Sequence, residues 1–317
     1  MVRVLALSSS LLLAFGAFSG CDLVKSGDEG NLEFELVSTD RVVPFAFGTP
    51  LASGLSVDVK VYVAGGDRTP ASINLAQPTD QSVAVVTGTN SDRFTLLGKT
   101  AGGTKVELVS ASGNDSFDLT VSAISEITLL QPGRVLVPLT PPVRVAQGGT
   151  ARFPFTLKSS DGRQLVGYGQ LPIDVTPESA AQAVDTDSTG LLSVLFSELG
   201  AVTLTPSVGG GAVEVTVVAA TDITGLDFAA PDAGATRTVE VGKTTALALE
   251  AENDLAEPVV GLTGLVTVTT STPSVCSVAQ SEILGDAVFQ VTGLAAGTCE
   301  VEAGLGELSA TASVTVQ

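Results

Sequence analysis

Apolar and polar residues alternate with period two along three segments of the chain. Phe117, Leu119 and Val121 fall on one side of Asp118 and Thr120. Val213, Val215 and Val217 oppose Glu214 and Thr216, and Leu308, Ala310, Ala312, Val314 and Val316 oppose Ser309, Thr311, Ser313 and Thr315. Such alternation is that of a β-strand with one buried face. A second set repeats it: Val57, Val59 and Val61; Phe153, Phe155 and Leu157; Leu247, Leu249 and Ala251. The markers Val121, Val217 and Val316 are 96 and 99 positions apart, and Val57, Phe153 and Leu247 are 96 and 94 apart. Two independent markers agreeing on one period predict tandem units. Pro154 cannot donate to a ladder, so the middle strand is expected to be interrupted or to lie at a sheet edge.

A unit of about 95 residues with about seven short alternating strands suits an immunoglobulin-like β-sandwich. The expected fold class is all-β, with units at 31–124, 125–221 and 222–317. The junctions Ile124-Ser125-Glu126 and Ala220-Thr221-Asp222 are short, which limits relative motion and predicts a semi-rigid rod. At ~33 Å per ten-residue strand, three units in line would reach on the order of 100 Å.

The N-terminus follows a different rule. Arg3 precedes Val4–Phe18, a mostly apolar run, and then Ser19, Gly20 and Cys21. The run is shorter than the ~20 residues of a membrane-spanning helix, and its order is that of a secretory signal. Residues 18–21 resemble the lipobox of bacterial lipoproteins, although Phe18 stands where that family usually has Leu. The resemblance implies a signal peptide over 1–20 and a lipidated Cys21 as the mature N-terminus. An ordinary secretory signal with a chance cysteine, and a membrane helix, are the alternatives. Two or more acyl chains would anchor the protein firmly to a membrane. Residues 21–30 then read as a tether.

Composition narrows the function classes. There are 15 Lys+Arg against 34 Asp+Glu, a net charge of −19. Such a surface repels phosphate backbones, so no nucleic-acid partner is expected. Histidine and tryptophan are absent. This excludes a histidine base, a histidine metal ligand and any triad that needs one. Apart from Cys21 the cysteines are Cys276 and Cys299, and in an exported chain such a pair reads most simply as a disulfide, with a redox or metal pair as the alternative.

The third unit carries Ser274-Val275-Cys276-Ser277-Val278, followed by Val291-Thr292-Gly293-Leu294-Ala295-Ala296-Gly297-Thr298-Cys299-Glu300-Val301. This pattern resembles the bacterial Ig-like domains of BIG2 type, most clearly over 223–317. In the second unit Asp187-Ser188-Thr189-Gly190 and Leu199-Gly200-Ala201-Val202 resemble the related invasin-type domains. The family forms sandwiches on cell-surface proteins, as stalks or adhesive modules, and has no shared catalytic site. On such a sandwich Cys276 shares a face with Val278 and Cys299 with Val301, so both would point inward.

Candidate chemistry is sparse. Gly98-Lys99-Thr100 and Gly242-Lys243-Thr244 look like P-loop endings, but Arg93 and Arg237 stand where the first glycine is required. Asp185 and Asp187 imitate the start of a calcium loop, but Phe196 falls at its twelfth position. They remain weak calcium candidates, and Asp115, Asp118, Asn253 and Asp254 weaker ones. Tyr168, between Gly167 and Gly169, is a weak candidate for partner binding. No catalytic residue, resident metal or cofactor is expected. The expected function is non-enzymatic: a lipid-anchored envelope protein, at the outer membrane or cell surface, acting as a stalk or adhesion module toward an unidentified ligand. The alternative is a structural subunit of an envelope assembly.

Overall fold

A strand that buries alternate side chains needs a second sheet to cover that face. The structure, a computed structural model, describes residues 24–37, 45–132, 137–139, 141–184, 190–229, 237–281 and 286–317. These residues form stacked sheets around three hydrophobic cores.

At the N-terminal core, Leu32–Leu36, Ser56–Val63, Arg93–Gly98 and Ala84–Thr89 lie side by side in that order. The facing sheet runs Leu51–Ala52, Gly113–Ser122, Gly102–Ser110, Ile73–Pro78. At the middle core the first sheet is Glu126–Leu129, Thr150–Lys158, Leu191–Phe196, Ala181–Val184, and the second is Val143–Ala146, Val213–Val218, Gly200–Pro206, Ile173–Thr176. At the C-terminal core Ile223–Phe228, Thr244–Asn253, Val288–Gly293 and Cys276–Gln280 face Thr238–Val239, Leu308–Val316, Gly297–Leu305 and Thr267–Thr270.

Each time, the first, second, fifth and fourth strands make one sheet, and the seventh, sixth and third make the other. This is the order of an immunoglobulin constant-type sandwich. The first strand is split, and its short second half runs parallel to the last strand: Leu51 beside Val121, Val145 beside Val217, Val239 beside Val316.

The cores differ in filling. Phe34, Phe94 and Phe117 cluster in the first, with ring centroids of Phe34 and Phe117 4.8 Å apart. Phe153, Phe196, Ile127 and Leu157 fill the second. The third includes Phe228 and Phe289, and its wholly buried positions are Val291, Val301 and Val314 around the disulfide of Cys276 and Cys299. That bond joins a strand of one sheet to a strand of the other, with Cα atoms 5.7 Å apart and both cysteines fully buried. Closing a loop of this length contributes about 3 kcal/mol in the chain-entropy picture.

Two expectations need correction. The strand carrying Pro154 is neither interrupted nor at an edge. Thr150–Pro154 pairs with Leu191–Leu195 on one side, and Phe155–Lys158 pairs with Glu126–Leu129 on the other. Pro154 sits where one ladder hands over to the next. Residues 24–30 are also not a free tether. Val24–Ser26 pairs with Glu33–Glu35, and the turn between them is held by Asp115, whose carboxylate accepts the backbone N–H groups of Glu29, Asn31 and Leu32 at 2.8–2.9 Å.

Candidate functional site

The most elaborate geometry outside the cores lies where one sandwich meets the next. At the first junction, the second half of the split strand and the turn that follows it, Leu51–Ser56, meet Val166–Tyr168 of the middle sandwich. Ala52 N–H donates to Val166 O at 2.8 Å, and Val166 N–H donates to Pro50 O at 3.0 Å. Ser56 and Tyr168 exchange both backbone hydrogen bonds at 2.8 Å. Side chains cross over as well. Ala52 and Leu55 pack in the middle core, and Val166 packs in the N-terminal core.

Tyr168 is half-buried at this junction. Its hydroxyl donates to Asp58 Oδ1 at 2.8 Å, and Thr95 Oγ1 donates to the same oxygen at 2.7 Å. Asp58 Oδ2 lies 3.8 Å from the Arg93 guanidinium. Burial, and then the Asp58 carboxylate, push the Tyr168 hydroxyl up to about 12. Gly167 makes the approach possible, because a Cβ there would lie 2.7 Å from Leu55 Cβ.

The second junction uses the same parts differently. Val143–Ala146 pairs parallel with Pro258–Val260, Arg144 beside Val259 and Val145 beside Val260. One nine-stranded sheet therefore runs from the middle sandwich into the C-terminal one. Thr150 N–H donates to Thr263 O at 3.1 Å, and Arg144 Nη2 bonds Glu257 Oε1 at 2.7 Å. Ala146 packs in the C-terminal core. Buried Asp286 braces the arriving loop, accepting from Gly261 N–H at 2.6 Å and Thr263 Oγ1 at 2.8 Å. Burial raises the Asp286 carboxyl, and its hydrogen bonds to residues 261–263 oppose that rise.

The structure thus places Tyr168 on Asp58 of its own chain. Cys276 and Cys299 are brought together. Cys21, Asp185 and Asp187 lie outside the described residues. Of the weaker calcium candidates, Asp115 is occupied by backbone donors, and Asn253 Oδ1 accepts from Leu255 and Glu257 N–H. Among the described residues no cluster of three His, Cys, Asp or Glu could hold a metal ion. A hollow of about 690 Å³ opens in the middle sandwich beside Ile173, Val175, Ala181 and Leu195, with Asp174 and Glu178 among its lining. Among the described residues no helix is long and apolar enough to cross a membrane.

Sequence reasoning found Tyr168 but missed what it touches. It also missed Leu55, Gly149, Gly261 and Asp286. The signal for the first two lay in the 94-residue repeat of Leu-Ala-Ser-Gly-Leu-Ser at 51–56 as Val-Ala-Gln-Gly-Gly-Thr at 145–150.

No protein-family model matches the sequence, and no curated protein matches it. Solved structures do. Domains 4–9 of the surface-layer protein SbsC are 17% identical over 92% of this chain, with a TM-score of 0.35, and this chain spans 45% of that structure. FdeC, an Escherichia coli adhesin, is 16% identical over 93% of this chain and 98% of its own, with a TM-score of 0.26. Invasin, a bacterial integrin-binding protein, is 15% identical over 90% and 60%, with a TM-score of 0.24. Likeness at this level carries no functional weight, and the fold stands on the strand order itself.

Proposed function

We propose that the three cores are three immunoglobulin-like domains of a non-enzymatic, lipid-anchored protein of the bacterial cell envelope, acting as a surface stalk or adhesion module. The observation that carries this reading is the construction of the junctions. Backbone hydrogen bonds and exchanged core side chains tie each sandwich to the next, which suits a spacer that holds a distal face at a set distance. The lipobox-like end at Cys21 supplies the anchor in this reading, and the BIG2-like pattern of residues 223–317 supplies the surface context. The acidic composition favours basic or cationic surfaces as ligands. The test is made on intact cells expressing the full chain. Surface labelling should reach the C-terminal sandwich, and Cys21→Ser should release the protein from the membrane fraction. Retention of the serine variant with lipid overturns the anchor, and absence of labelling overturns the surface stalk.

A further inference from the structure

The edge that receives the next sandwich exists in three copies, and the third differs from the other two at defined positions. The copies are Leu51–Ser56, Val145–Thr150 and Val239–Thr244, each 94 residues from the last. Their backbones match. The first residue pairs parallel with the last strand in all three. The fourth residue is a glycine in the left-handed region in all three: Gly54 at φ 85°, Gly148 at 78° and Gly242 at 78°. Such a conformation favours glycine, so the turn is preserved while the side chains vary.

The second and fifth positions meet the neighbour. At the second, Ala52 and Ala146 are wholly buried, each in the core of the following sandwich. At the fifth, Leu55 is 1% exposed in that core, and Gly149 is so close that a Cβ would lie 1.8 Å from Gly261 O. In the third copy these positions are Glu240 and Lys243, both exposed. Seating a sandwich on this edge in the same way would bury a carboxylate and an ammonium in or against an apolar core, which strips each unpaired ion of its hydration.

We propose that this edge is a recurring docking surface for β-sandwiches, that its second and fifth side chains decide whether one seats, and that Glu240 and Lys243 close the third copy to docking of this kind. The inference rests on the reading of the cores as separate domains.

The test transplants the closed code into an open edge of the full chain, with backbone hydrogen exchange as readout. In Ala146→Glu, and separately in Gly149→Lys, exchange at Thr150 and across 259–263 should rise about tenfold or more, as expected of a locally opened contact. Protection in Leu191–Phe196 and Gly297–Leu305 should hold. Unchanged exchange at the junction in Gly149→Lys overturns the proposal, including the case in which Ala146→Glu unfolds the middle sandwich. The stalk reading fails separately, on the cell-surface experiment, whatever the exchange shows.

Discussion

The two junctions start from the same backbone edge and reach a tight contact by different means. The first adds side chains to the four backbone hydrogen bonds that cross it. Leu55 plugs the middle core, and the Tyr168 hydroxyl reaches across to Asp58. The second relies on the main chain. A parallel strand pair crosses the boundary, and Gly149 and Gly261 let the two backbones touch. The same edge thus seats both neighbours, and plug and glycine are alternative ways of closing the contact there.

Substitutions can break this contrast, and the largest effect belongs to the backbone-built side. Gly261 has φ +77°, and a Cβ there would lie 2.3 Å from Val145 Cγ1. Gly261→Val should therefore combine backbone strain with overpacking and cost about 4 kcal/mol, read as a lowered urea midpoint. The N-terminal sandwich should keep its hydrogen-exchange protection. Leu55→Ala empties the plug of the other junction and should cost about 3 kcal/mol. Loss of protection at Val166 and Tyr168, with the second junction intact, would localise that effect.

Tyr168→Phe should cost about 1–2 kcal/mol, because it leaves Asp58 short of one donor. It also has a pH signature. The hydroxyl is raised to about 12 by burial and then by Asp58, whereas an unfolded tyrosine titrates near 10. The folded state holds this proton more tightly, so the contribution is complete below about pH 10 and is lost as pH rises toward 12. Tyr62 is raised similarly, by burial and Glu35, so the wild type should lose stability over this window more steeply than Tyr168→Phe does. The smallest effect is expected for Arg144→Met. Its ion pair with Glu257 is partly solvated and should contribute at most ~1 kcal/mol, seen as a slight salt-sensitive shift in melting temperature.

Much of the fold was legible in the alternation. Val57, Val59, Val61, Phe117 and Val121 are buried as their spacing demands, and so are Leu247, Leu249 and Val314. Period two reports which face is covered, whatever covers it. It could not report Asp58, a polar-face residue that is nevertheless only 8% exposed, because its cover comes from Tyr168, 110 positions later. Pro154 misled for a related reason. The missing N–H is a local fact, and the handover between neighbouring ladders is a tertiary one. Gly167 and Tyr168 stood out as a flexible aromatic segment, but sequence gave no hint that the face they meet belongs to the same chain. The spacing of Cys276 and Cys299 was compatible with a bridge, and the two sheets supply the geometry for it.

The nine-stranded sheet has a consequence for how the chain is made. Val143–Ala146 needs Val213–Val218 on one side and Pro258–Val260 on the other, and the latter begins 40 residues after the former ends. In that interval the nascent middle sandwich carries an open strand edge, the kind of surface on which chains pair wrongly. Speed and accuracy of C-terminal folding therefore protect the part of the molecule that was finished earlier.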